Sequence, residues 1–349
     1  MAKQVLFHLS THGGPEAARN LVGAARLFQP HVILIENARG SAYRRWRTRI
    51  RHRFADLFPR SFLEDRARAS DRLLWKEAAA RRQSTPPVPI GLAERYNRRE
   101  RHDILAYRKE TRRLYRNALQ YYGRGQVSPA IDSFNFHLIG CGQQDAFREH
   151  RTVQHFEIAA HSAAPNLAVD DLRLLVFFGS SHLALPFIAH KAGWDVSISL
   201  DCSHLVQPLF SSTILRLRSA LPVAPEDIGR ALVESILALT LEQLELPFDI
   251  SFAVARILAE PMSLETITQL SERLPRLSYD EDVKTVFRSL GIPFPHTLDA
   301  VWDCIGQSPY SQVDFYASPS IIPLPQFAKH ILTDEGTYTA LRRRLTIPL

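Results

Sequence analysis

Two hydrophobic rhythms run along the chain. "KQVLFHLS" carries a short apolar run, Val5–Phe7, followed by alternating His8, Leu9 and Ser10, and predicts a strand over Gln4–Leu9, ending in the polar, Gly-rich turn "THGG". "PEAARNLVGAARLF" then shows the helical period, with Ala18, Leu21, Val22, Ala25 and Leu27 apolar and Pro15 placed as a first helical residue. "PHVILIENARG" returns to strand. Its unbroken Val32–Ile35 run predicts a parallel strand buried on both faces. Strand, helix and strand in under about forty residues make a βαβ unit.

The middle of the chain is helical and dominated by arginine, from "SAYRRWRTRIRHRFADLF" to "ERYNRRERHDILAYRKETRRLYRNALQYY". The prolines of "QSTPPVPIG" interrupt it. From "SFNFHLIGCG" a strand signal is expected again, then a helix over Ala146–His161. The "RLLVFF" strand, a helix over Leu183–Ala192 and the short strand "DVSISL" follow. From Gln207 amphipathic helices are broken at Pro222, Pro247, Pro261 and Pro293, and the Pro-rich "SPSIIPLPQF" reads as irregular. The expected fold is α/β: a mainly parallel sheet with helices on both faces, an Arg-rich helical insertion and a helical C-terminal region. The expected division is 1–40 with 130–205 as the α/β core, 41–129 as the insertion and 206–349 as the C-terminal part.

Composition narrows the class without naming a chemistry. A chain of 349 residues, 45% apolar and 23% charged, is that of an ordinary globular protein. Cys141, Cys202 and Cys304 lie far apart with no CxxC pair, which argues against a disulfide scaffold or a cysteine zinc site. The opening apolar run is too short for a signal peptide, and no run of about 18 apolar residues suggests a membrane span. The expected location is the cytoplasm. The formal charge of +7 is unevenly spread. Residues 39–124 hold about 24 Lys/Arg against about 9 Asp/Glu, so the basicity is local.

Three polar residues stand just beyond expected strand ends: His12 in "STHGG", Glu36 in "LIENARG" and His182 in "GSSH". Ligands of parallel α/β sheets bind at those carboxyl ends. Two imidazoles and a carboxylate there suit a divalent metal such as Mn, Co or Zn with an open position, which would activate a bound water. Without metal, a His–Glu pair would serve as general base and its orienter. His8, on the same strand face as Ser10, would support the site from behind. Arginine interleaved with Trp46, Ile50, Phe54, Tyr96, Tyr107 and Tyr115 suits a nucleic acid or another polyanion; the alternatives are a solvated helical hairpin or an interface pairing with the acidic remainder of this same chain.

The stretch "STHGGPEAARNLVGAARLFQPHVILIENARG", the later "EHRTVQHFEIAAHS" and Gly179-Ser180-Ser181-His182 with "HKAGWDV" resemble the Tiki/TraB superfamily, including its ChaN-like and erythromycin-esterase-like branches. Leu9 stands where that family has glycine. The resemblance implies a metal site at His12, Glu36 and His182, a catalytic role for Glu36, and Arg151 as the arginine that stabilises an oxyanion or a substrate carboxylate. It further implies a hydrolase, metal-assisted, of small-molecule or peptide substrates at a peptide or ester bond. The alternatives are a non-catalytic, haem-like ligand binder and a polyanion- or protein-interaction protein on the same fold.

Overall fold

A computed structural model describes residues 3–10, 14–36, 90–94, 96–200, 207–241, 248–273, 286–292, 294–295, 297–315, 317 and 319–331. The chain divides into two compact units, one formed by 1–96, 148–204 and 316–330, the other by 97–147, 205–315 and 331–349. The helical segment 97–147 thus groups with the C-terminal helices. Among the described residues no helix is long and apolar enough to cross a membrane.

The first unit is built on β1 (Gln4–Ser10), β2 (Val32–Ile35), β3 (Ile90–Leu92), β4 (Arg173–Gly179), β5 (Asp195–Leu200) and β6 (Ser320–Pro323). They form one sheet in the order β3-β2-β4-β1-β5-β6. The pairs among β1 to β5 are parallel, and β6 runs antiparallel to β5. Strands buried on both faces read as continuous apolar runs, and the two such runs, Val32–Ile35 and Leu174–Phe178, lie side by side in the middle of the sheet. Successive strand residues point to opposite faces. Leu6, Ile33, Leu175 and Phe177 therefore meet Leu21, Ala24 and Ala25 of α1 (Gly14–Phe28). Phe7 points the other way and meets Phe156 at 6.0 Å between ring centres.

Helices α2 (Arg98–Tyr122) and α3 (Val127–Gln154) follow β3, and α4 (Phe156–Ala163) follows α3. The strand expected from "SFNFHLIGCG" is instead the middle of α3. Its buried positions Val127, Ala130, Ile131, Phe134 and Leu138 recur at the helical period, which the local run of β-favouring residues had masked. The helix expected over Ala146–His161 is two helices that break at His155. After β4 comes α5 (Leu185–Lys191), closed by Gly193 at φ 85, a left-handed position that favours glycine. That turn carries Trp194 back onto the sheet, edge-on to Phe156. The "SPSIIPLPQF" segment is ordered as β6 and α11 (Leu324–Ile331). Its prolines are tolerated because β6 is an edge strand and Pro325 sits in the first turn of the helix.

The second unit carries α2, α3 as far as Phe147, α6 (Leu209–Arg218), α7 (Pro225–Leu241), α8 (Phe248–Ala259), α9 (Leu264–Arg273) and α10 (Leu298–Gly306). A capping box between Asn97 and Glu100 starts α2. Its end is tied to α9, where Tyr122 donates to the Ile267 carbonyl at 3.0 Å and Ser271 donates to the Tyr122 carbonyl at 2.7 Å. Glu234 of α7 accepts the backbone N–H groups of Leu209 and Phe210, so it caps the start of α6 from a different helix.

Candidate functional site

Because β2, β3 and β4 are parallel neighbours, the residues that follow them emerge at the same end of the sheet. Glu36 directly follows β2, and its own N–H donates to Phe177 of β4. Glu94 lies two residues past β3, whose ladder is prolonged by Ala93 donating to Ile35. His182 closes the tight turn after β4, with its N–H on the Gly179 carbonyl. This turn explains the Gly-Ser-Ser-His sequence after an apolar strand: it keeps the imidazole at the strand end beside Phe178, whose ring it meets edge-on at 4.9 Å.

One arginine joins all three. Arg148, near the end of α3, donates from Nε to Glu94 Oε1 at 2.7 Å and from Nη2 to Glu36 Oε1 at 2.5 Å. Its Nη1 lies 3.1 Å from His182 Nε2. The second oxygen of Glu36 accepts the Gly179 N–H at 2.9 Å, and Tyr96 donates to Glu94 at 2.9 Å. Glu149, the next residue on α3, faces His182 Nδ1 at 3.2 Å. Guanidinium only donates, so His182 Nε2 must accept, and the ring proton sits on Nδ1 directed at Glu149. The geometry therefore holds His182 neutral and in one tautomer. Side-chain exposure is 6% for Arg148, 1% for Glu94, 2% for His182 and 0% for Glu149, against 12% for Glu36, which is the member that reaches furthest towards solvent. Burial beside Glu94 pushes the Tyr96 hydroxyl well above the ordinary phenol range, so it stays a donor.

Comparison with family models, curated proteins and solved structures finds no match for this chain.

Of the residues expected from sequence, Glu36 and His182 are brought to one guanidinium. His12 lies outside the described residues. Arg151 donates to Gln154 at 3.2 Å, and the arginine that binds Glu36 is Arg148, three residues earlier. Three residues is one helical turn, so the sequence places both arginines on nearly the same face of α3 and gives no means of choosing between them. Glu94 and Glu149 were missed. Glu94 had a signal, an acid after the apolar "PIGLA", but the prolines before it concealed a strand of only three residues. His8 is fully buried, stacked on Phe177, with Nδ1 3.0 Å from Ser199 Oγ of β5. Leu9 is a core residue in register with Phe178, and β1 runs on through Ser10.

A divalent metal held by Glu36 and His182 would need a carboxylate oxygen and a ring nitrogen turned to a common point. Arg148 takes that point, Gly179 takes the other Glu36 oxygen, and Glu149 faces the other ring nitrogen. Among the described residues no group of three or more His, Cys, Asp or Glu is arranged to hold a metal. As placed, Glu36 and His182 are both engaged by the Arg148 guanidinium, and His12, the third member of the expected metal set, lies outside the described residues.

Proposed function

We propose that this chain is a metal-independent hydrolase of ester or peptide bonds, working at the Arg148 cluster. The observation that carries the reading is the convergence of three strand-end residues, Glu36, Glu94 and His182, on one buried arginine at the carboxyl end of a parallel sheet. Ligands of open parallel sheets bind at that end. The Tiki/TraB-like placement of Glu36 and His182 in the sequence supports a hydrolase at this position, and metal independence rests on the Arg148 geometry alone.

Each residue has a role its geometry suits. Glu36 and Glu94 fix the plane of the guanidinium, and Glu149 fixes the imidazole. A substrate carbonyl arriving from the Glu36 side takes the place of His182 Nε2 on Arg148. The released Nε2 lone pair accepts a proton from water as the water oxygen bonds to the carbonyl carbon. Arg148 stabilises the oxyanion so formed. Collapse of that intermediate breaks the bond to the alkoxide or amine, which leaves with the proton from His182. Arrival of substrate is thus what frees the base.

A second reading has its own support. All three guanidinium nitrogens are engaged and most of the cluster is out of solvent, as in a polar framework that holds the floor of a ligand-binding crevice without turnover. Hydrolysis of a panel of chromogenic esters and peptide amides, in the presence of a chelator, separates the two. Expected is turnover that the chelator leaves unchanged and that His182→Ala lowers by about 10²-fold or more. No turnover by the wild-type chain, or full activity in His182→Ala, overturns the hydrolase reading. A haemin titration by absorbance then tests the binding alternative.

A further inference from the structure

Helix α2 gathers most of its cations on one face, Arg99 and Arg113 excepted. At about 100° per residue, Arg98, Arg101, Arg108, Lys109, Arg112 and Arg116 fall within an arc of about 100°, and Glu100, Asp103 and Glu110 fall on the other side. The stripe runs for about 27 Å along the axis, at about 1.5 Å per residue. Packing against α3 fixes how the helix is turned. Thr111 and Leu114 accept through their carbonyls from His137 and Ser133, and Tyr115 packs on Phe134 and His137. That leaves Arg98, Lys109, Arg112 and Arg116 exposed and Arg101 and Arg108 half-buried at the flank. Arg98, Lys109, Arg112 and Arg116 form no ion pair with any described residue, whereas Arg113, off the stripe, pairs with Glu110.

We propose that this stripe is a docking surface for the phosphate backbone of a nucleic acid duplex. Charge complementarity selects a polyanion, and three features narrow the class. Leu105, 64% exposed, is the large apolar side chain within the stripe, too little for a membrane-seeking helix, which needs a full apolar face. Protein interfaces centre on an extended apolar core, whereas the stripe offers a single leucine among six cations. The stripe has no aromatic side chain on which unstacked bases could rest, so it suits paired rather than single strands. Six cations on a straight helix can follow a surface that carries one negative charge per about 1.7 Å of duplex axis, without reading sequence.

The test is fluorescence anisotropy of a labelled 25-base-pair DNA duplex, about 25 pairs being ample for a helix of this length, titrated with the full chain from low to physiological salt. A variant with Arg98, Lys109, Arg112 and Arg116 all changed to alanine keeps good helix formers at exposed positions, and circular dichroism checks that it folds. A charge-matched control changes the exposed Arg26, Arg124, Lys191 and Arg288 to alanine. Expected is a salt-sensitive complex that the stripe variant weakens at least about tenfold. The slope of log K against log salt should fall by up to about 3.6, at about 0.9 for each phosphate that the variant no longer neutralises. The control should retain most of the affinity. Absence of a complex, an unchanged slope in the stripe variant, or equal weakening of both variants overturns the proposal. So does tighter binding of a single strand than of the duplex.

Discussion

Arg148 shows how much can depend on one side chain. It is buried against Glu36, Glu94 and His182, so removing it leaves two carboxylates in a poorly solvated place without their shared partner. Breaking a buried ion pair in this way costs about 3–5 kcal/mol. Arg148→Met should therefore lower stability in urea by about that much, and a loss below about 1 kcal/mol would show that the pairing is not a structural support. Arg148→Lys keeps the charge but not the fork, since one ammonium cannot present the planar Nε, Nη1 and Nη2 geometry. Its loss should be intermediate in stability, while any hydrolysis should fall as far as in the methionine variant. Glu234 makes a prediction about pH. Burial pushes its carboxyl up to about 8, against the Leu209 and Phe210 N–H groups and Arg256, which pull it down, and with Glu260 adding to the rise. The folded chain thus keeps a proton that the unfolded chain releases near 4.5. The stability from this group is complete below that value and is lost as pH rises through about 8, with a slope of at most about 1.4 kcal/mol per pH unit. Denaturation of Glu234→Gln and wild type between these limits should show the wild-type curve falling more steeply. Parallel curves would mean that Glu234 stays ionised in the fold.

Among the elements, the α2–α3 pair rests on close approach. A Cβ at Gly140 would stand 2.6 Å from Thr111 Cγ2, closer than any such pair of atoms can be. Gly140→Ala should then destabilise by about 1–3 kcal/mol, although alanine is the better helix former, because overpacking outweighs propensity. Thr111→Ser removes the offending methyl and should restore most of the loss in the double variant. Additive effects in a double-mutant cycle would show that the two positions do not meet. The same helix begins at a capping box, and Asn97→Ala should cost about 1 kcal/mol, read from chemical denaturation. The stability of α3 has a different origin. Its "SFNFHLIGCG" segment carries residues that favour strand, and what makes it helical is burial of Phe134 and Leu138 at the helical spacing. Packing decided that element, and local preference did not.

Across the whole molecule, two compact units each with its own buried core predict two unfolding steps. Calorimetry should resolve two transitions, with Arg148→Met lowering the one that belongs to the sheet unit and Gly140→Ala lowering the other. Equal shifts of a single transition in both variants would show one cooperative molecule.

Much of the sheet was legible in the order of residues. Val32–Ile35 and Leu174–Phe178 are apolar throughout because parallel strands in the middle of a sheet are covered on both faces, and such runs admit few other readings. Glu36 and His182 were legible as strand-end residues too, since a polar residue just past a buried run must lie where the strand leaves the core. The edges of the sheet were not. Strands β3 and β6 span three and four residues, too short for a period to appear, and both are flanked by prolines. Nor were the partners of the site. Arg148 and Arg151 sit one turn apart on the same helix, and Glu94 is remote from both in sequence. Only the crossover that slots β4 between β2 and β1 brings Glu36, Glu94 and His182 within reach of one guanidinium. Periodicity records which face of an element is buried, whereas strand order depends on how all the elements pack at once, and that is what set the chemistry at this end of the sheet.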